Sequence, residues 1–443
     1  MGPRNVLRDY IARPTGHPFR NTLSLLFEIK NFKTFLSHHK FIGTGSFKVP
    51  EPELEFSYLC DSRNRDEIMK NITNRKGVGD IDKVLHLHNS YLKDENNLTK
   101  TNMLKEMLKI PNRTHPAVLA HGEEPKVVKR IEKKINFDFK PKLFHEIANS
   151  MKLLRNDISL FTGHRSYFFV EQLSKLESAM IKHSVSKLIK AGFHLVSVPD
   201  ILDRAVIESC GMETRGQRSQ VYSLSSVHGS DKCLSGTAEM ALAAYLMNNE
   251  IHPSQLPLRL VAVSRCYRAE TSSTSEERGI YRVHQFTKVE MFGVSEPEQS
   301  SELLDQFRDW QVNHFADLGL DLQVMDMPPH ELGAQAYRKY DVEAWLPAKQ
   351  IWAELSSCSD CTDYQSRRLN IRSNGRFVHT VNGTACAVPR LLIALFEQHQ
   401  QRDGSVLIPP SLQTYMGGAT HISKDNNHHL PALRPMKRLS KKT

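Results

Sequence analysis

The segment from Leu258 to Val294, LRLVAVSRCYRAETSSTSEERGIYRVHQFTKVEMFGV, restricts the fold of this chain more than any other. Two strand-like runs flank a polar loop, the pattern of an antiparallel hairpin. Side chains alternate faces along a strand. Val283, Val289 and Met291 therefore share one face of the second run, while Arg282, His284, Phe286, Lys288 and Glu290 share the other. In the first run Arg268 and Glu270 share a face. Burying so many charges without partners is costly. Two arrangements remain: a solvated face, which pattern alone favours, or a cleft for a charged, ring-bearing ligand. In the cleft, an arginine binds phosphate bidentately, Phe286 stacks on a base and Glu290 holds an ammonium group.

The sequence around the hairpin is α+β. LESAMIKHSVSKLIKAGFHLVSVPDIL predicts an amphipathic helix ending at Gly192, then a strand stopped by Pro199. That helix–strand unit, at about 174–200, is a candidate subunit interface. Upstream, Ile81, Val84, Leu85, His88, Tyr91 and Leu92 recur at helical spacing, as do Met103, Leu104, Met107, Leu108 and Ile110 before Pro111. Polar KDENN between them predicts a short antiparallel helical hairpin. RTHPAVLAHGEEP then reads as a linker. The domain reading is 1–50, 51–125, 126–422 and 423–443: a leader, a helical arm with its linker, the main domain and a basic tail.

Charge bears on location and partners. The first fifty residues carry Arg4, Arg8, Arg13, Arg20, Lys30, Lys33, Lys40 and Lys48 against only Asp9 and Glu28, the composition of a mitochondrial transit segment. The tail LRPMKRLSKKT is also basic. A net charge of +10 favours nucleic-acid or anionic-surface contact. No apolar run approaches the ~18 residues of a membrane span. Seven scattered cysteines fit reduced thiols better than a disulfide framework. Cys358 and Cys361 form a C-x-x-C, but no second Cys/His pair follows at zinc spacing.

Four stretches carry a resemblance: YRVHQFTKVEMF, GTAEMAL, ELSSCSDCTDYQSRRLNIR and TVNGTACAVPRLLIALFEQHQQRDGSVLIPPSLQTYMGG. Together, from about residue 54 to Gly418, the chain resembles seryl-tRNA synthetases of class II. The resemblance implies an antiparallel sheet flanked by helices, preceded by a two-helix arm that grips tRNA. It also implies site roles by position. Serine is held by Thr237, Ala238, Glu239, Arg268, Glu290, Asn382 and Thr384. ATP is held by Arg268, Ala269, Glu270, Phe286, Glu354, Leu355, Ser356, Ser357 and Arg390. Glu354 and Ser357 match a magnesium-contacting pair, and hard cations take such oxygen ligands.

The chain departs from the family pattern in four places. Between Arg268 and Tyr281 the loop has lost glycines and gained Glu276 and Glu277, which repel phosphates. The segment NGTACAVPR stands where the family has NGSGLAVGR, so Thr384 and Ala385 add methyl groups where substrate crowds, and Pro389 stiffens the chain before Arg390. Asp360 replaces an asparagine, adding negative charge. The arm is also short. The chain thus resembles a diverged mitochondrial branch, found in insects, that no longer charges tRNA and partners the true mitochondrial seryl-tRNA synthetase. Arg268 and Arg390 are then vestigial as catalytic groups. The expected location is the matrix, as a heterodimer with that enzyme or a homodimer. Two alternatives are an active mitochondrial enzyme, using ATP and magnesium, and a nucleic-acid-binding protein acting outside translation.

Overall fold

The computed structural model describes residues 49–133, 135–155, 163, 165–216, 219–225, 227, 231–271 and 279–425. The expected transit segment (except its last two residues), the basic tail from 426 and the loop bearing Glu276 and Glu277 lie outside the described residues. The described residues from Val49 onward form one compact unit.

After a single helical turn at Phe56–Leu59 come α1 (Arg65–Asn74), α2 (Ile81–Lys93) and α3 (Asn97–Met107). α2 and α3 form the expected hairpin. Asp80 caps α2 by accepting from the Lys83 N–H, and Asn96 caps α3 by accepting from the Leu98 N–H. The apolar stripe is buried only near the base, where Ile68, Ile72, Ile81, Val84, Met103 and Met107 form a core of their own. At the tip Leu92 and Leu98 are exposed.

This hairpin is fastened to the rest of the chain. The Arg75 guanidinium donates to the carbonyls of Ala336 (2.7 Å), Asn112 (3.1 Å) and Arg113 (3.2 Å), and also to that of Gly333. Asn112 Nδ2 donates to the Gln335 carbonyl (2.8 Å), the Cys361 carbonyl (3.0 Å) and Thr362 Oγ1 (2.9 Å). Within the segment read as a linker, Pro116–Leu119 is helical and Val118 is fully buried.

An eight-stranded sheet forms the centre: β1 (Lys126–Ile131), β2 (His194–Val196), β3 (Leu258–Tyr267), β4 (Gln285–Ser295), β5 (Leu322–Asp326), β6 (Arg338–Leu346), β7 (Ile351–Thr362) and β8 (His379–Ala387). Its order is β1-β5-β6-β7-β8-β4-β3-β2. Every neighbouring pair is antiparallel except β2–β3. The hairpin read from sequence is β3–β4, with Ala262 opposite Glu290 and Cys266 opposite Phe286. β8 lies on the other side of β4, with Thr384 also opposite Glu290.

Helices packing around the sheet include α4 (Gln172–Lys190), α5 (Ala238–Leu246), α6 (Ser300–Asp317), α7 (Tyr364–Leu369) and α8 (Val388–His399). α6 lies across β4, β7 and β8, and its close approach depends on Gly293. A Cβ there would sit 2.7 Å from Leu303 and 3.0 Å from Phe307. The expected break after α4 is a left-handed Gly192 (φ +85). The helix–strand unit leaves Ile189 and Leu195 exposed, as is Ile201 in the short strand that follows (Ile201–Asp203).

Candidate functional site

The charged face of β4 is interior. Lys288 is 6% exposed and Glu290 2% exposed, and Lys288 Nζ lies 2.5 Å from Glu290 Oε2. The solvated face that pattern alone favours is therefore excluded. Both charges lie in the middle of β4, between β3 and β8, and they answer each other.

A cleft with about 540 Å³ of open space forms over this face. The hairpin lines it with Arg268, Glu270, Phe286 and Lys288. Glu354, Leu355, Ser356 and Ser357 come from β7, Thr384 from β8 and Arg390 from α8. Residues more than a hundred positions apart thus meet at one site. The buried Nε of Arg268 has no hydrogen-bond partner among the described residues, and its guanidinium lies 5.4 Å from the Phe286 ring centroid. Arg390 Nη1 lies 3.0 Å from Glu354 Oε1, and its guanidinium is 4.7 Å from the Tyr281 ring centroid. Tyr281 donates its hydroxyl to the Glu354 carbonyl at 3.0 Å. Burial alone would raise the Glu354 carboxyl, but Arg390, Lys339 and Arg268 outweigh it and hold it well below the usual range. Nearby, burial and the Glu354 charge push Asp341 up, although Lys339 Nζ sits 2.9 Å from it.

This arrangement suits a polyanion with an aromatic ring. Two guanidiniums offer fork-shaped donors for phosphate, and Phe286 offers a ring face. The Glu354 carboxylate and Ser357 line the same wall, a hard-oxygen pair that fits a magnesium ion carried by such a ligand. Glu270 is held beside the ring position. Its backbone is left-handed (φ +46), its N–H donates to Gln220 Oε1 at 2.8 Å, and its carboxylate lies 3.6 Å from Arg282. Ala269 contributes backbone only, donating its N–H to the Gln220 carbonyl at 2.8 Å.

A second group lies beneath. Thr237 caps α5 and accepts from the Glu239 N–H at 3.3 Å, and Ala238 packs in a fully buried core position. Glu239 Oε1 accepts from Asn382 Nδ2 at 2.9 Å and from Gln365 Nε2 at 2.6 Å. Burial, then the Glu290 charge, raise the Glu239 carboxyl to about 7 against these donors. Thr384 Oγ1 donates to Glu290 Oε2 at 3.3 Å. Glu239 with Asn382 and Thr384 with Glu290 are thus two buried polar pairs, and Thr384 lines the cleft.

Two expected intrusions are elsewhere. Ala385 sits in the β-bulge between Thr384 and Cys386 and packs fully buried in the main core, so its methyl does not crowd the cleft. Asp360 lies at the far end of β7, lining a separate hollow with Tyr58, Arg368 and His379. Pro389 lines the cleft from the first turn of α8 without breaking it. Cys358 and Cys361 are buried free thiols, as five further cysteines are free. Sequence reasoning overlooked Tyr281 and Gln365. Tyr281 opens the YRVHQF run beside named site residues, whereas nothing local to Gln365 points at Glu239.

Comparison with known proteins adds the following. Residues 222–399 match the family model for the tRNA synthetase class II core domain (G, H, P, S and T). The chain is 46% identical to the mitochondrial serine–tRNA ligase of Mus musculus over 324 residues, 71% of this chain and 62% of that protein. It is 38% identical to the serine–tRNA ligase of Rubrobacter xylanophilus, covering 71% of this chain and 76% of that protein. Among solved structures, seryl-tRNA synthetase from Pyrococcus horikoshii complexed with ATP superposes with a TM-score of 0.70 at 28% identity, covering 90% of this chain and 92% of that one.

Proposed function

Because this chain belongs to the seryl-tRNA synthetase family and carries the class II synthetase fold, we propose that it is a mitochondrial member that binds ATP and serine but does not itself charge tRNA. In this reading it partners mitochondrial seryl-tRNA synthetase in the matrix and supports translation there. The observation that carries the proposal is the docked arm. α2 and α3 have 13 and 11 residues, so the hairpin spans only about 20 Å, and Arg75 and Asn112 pin its base to the body. An arm so short and so fixed reaches poorly toward tRNA on a partner subunit.

Location rests on the basic leader composition and on the likeness to mitochondrial serine–tRNA ligases. Pairing rests on the α4–β2 unit, whose exposed Ile189 and Leu195, with Ile201 just after it, offer an apolar surface. Capture of the tagged full-length protein from mitochondria tests the reading. Co-purification of mitochondrial seryl-tRNA synthetase supports it, and recovery of a homodimer alone counts against it.

A second reading is an active, ATP-dependent serine–tRNA ligase. Arg268, whose buried Nε has no hydrogen-bond partner among the described residues, lines one cleft with Phe286, Glu354 and Arg390, which favours it. In that reading Arg268 binds the serine carboxylate and α-phosphate, Arg390 binds the γ-phosphate, and Glu354 with Ser357 holds magnesium, which neutralises triphosphate charge. The chain's own contribution is positioning and charge stabilisation. Charging of tRNA by the purified chain, abolished by Arg390→Ala, is its expected signature.

A further inference from the structure

We infer that Gln365 is a positioning residue for the amino-acid end of the cleft: its carboxamide, aimed by the Thr380 hydroxyl, holds Glu239 so that one carboxylate oxygen remains to receive the ammonium group of serine. The inference rests on the serine-binding reading above.

Gln365 lies on α7 and is fully buried. Thr380 Oγ1 donates to Gln365 Oε1 at 2.7 Å, which turns Nε2 toward Glu239 Oε1 at 2.6 Å. Asn382 Nδ2 donates to that same Glu239 oxygen at 2.9 Å and lies 3.4 Å from Cys361 Sγ. Both donors therefore load Oε1. Oε2 takes no hydrogen bond among the described residues, and Glu239 is buried at 6% exposure beside the Thr384–Glu290 pair whose threonine lines the cleft. A carboxylate saturated on one oxygen presents its charge through the other. Without Gln365 the group is free to rotate, and Asn382 alone must hold it.

The charge balance gives the inference a pH signature. Around Glu239 stand Glu290 and Lys288 from β4, Cys361 from β7 and Cys210 after the short helix Arg204–Ser209. Burial and Glu290 push the carboxyl up to about 7, and the Gln365 and Asn382 donors pull it down. An ammonium ligand needs the ionised form. Serine binding should therefore strengthen as pH rises through 7, and loss of the Gln365 donor should move that rise to higher pH.

The test is calorimetric titration of L-serine into the full chain, with its partner subunit if one co-purifies, on both sides of pH 7. Gln365→Met should bind serine roughly tenfold more weakly near neutral pH, with the rise displaced upward. Gln365→Glu sets a like charge against Glu239 and should abolish binding. Thr380→Val, which disturbs only the aim of the carboxamide, should shift the profile in the same direction by less and keeps the test available if a Gln365 variant does not fold. Wild-type affinity and profile in Gln365→Met, or weakening by one constant factor at every pH, overturns the inference. A wild-type chain that binds no serine overturns the serine reading itself, an outcome separable from variants that behave like the wild type.

Discussion

Arg390 Nη1 and Glu354 Oε1 lie 3.0 Å apart, with the Arg390 guanidinium stacked over Tyr281. The two groups that the family resemblance assigns to triphosphate and magnesium thus hold each other. A nucleotide entering the cleft must exchange that ion pair for its own contacts. Arg390→Met should raise the Kd for ATP by at least about tenfold, because a charged, bidentate donor is lost, and Arg268→Met should do the same from the opposite wall. Calorimetric titration of ATP measures both, and unchanged affinity in both variants would remove the nucleotide from the cleft.

The docked arm depends on one side chain. Arg75 is 4% exposed, and its hydrogen-bond partners include four backbone carbonyls. Arg75→Met leaves these unpaired and should destabilise the arm–body joint by about 2–4 kcal/mol. The expected readouts are a lower melting temperature and faster proteolysis between residues 113 and 125. Wild-type proteolysis would mean that the other contacts suffice.

Glu397 on α8 supplies a pH test free of any ligand. Burial raises its carboxyl from 4.5 to about 7, although it accepts from the Phe144 N–H at 3.2 Å. The folded state thus holds its proton more tightly than the unfolded state. That stabilising contribution is complete below 4.5 and lost as pH rises through 7. Glu397→Gln stays neutral throughout. It should gain stability over wild type at alkaline pH, by up to about 3 kcal/mol, and little in mild acid. Urea denaturation at two pH values decides it, and an equal effect at both would refute the assignment.

The exposed Leu195 and Ile201 are the proposed pairing surface. Leu195→Glu with Ile201→Glu should weaken subunit association by at least about tenfold while leaving ATP affinity intact. Sedimentation velocity measures the first and calorimetry the second. Undiminished association would place the partner elsewhere.

Much of this site was legible in the sequence because strand alternation is local: Phe286, Lys288 and Glu290 fall on one face of the second run by parity alone, and Arg268 and Glu270 share a face in the first. Whether that face met solvent was not legible, since it depends on β8 arriving beside β4 from almost a hundred residues away. Ala385 and Asp360 were misplaced for related reasons. Ala385 falls in a bulge, which shifts every parity argument by one residue. Asp360 sits on β7, six residues beyond Glu354, so adjacency in the motif did not mean adjacency to the cleft. These two substitutions therefore give no support to a damaged nucleotide site. Gln365 and Arg75 escaped notice because their partners, Glu239 and the carbonyls of Gly333 and Ala336, are distant in the chain.

The proposal of a non-charging subunit is tested most directly by attachment of labelled serine to mitochondrial serine tRNA, with the purified chain alone and then with mitochondrial seryl-tRNA synthetase added. Background charging is expected from the chain alone, and charging attributable to the added enzyme in the mixture. Charging well above background from the isolated chain, lost in Arg390→Ala, would contradict the proposal and establish the active-ligase reading.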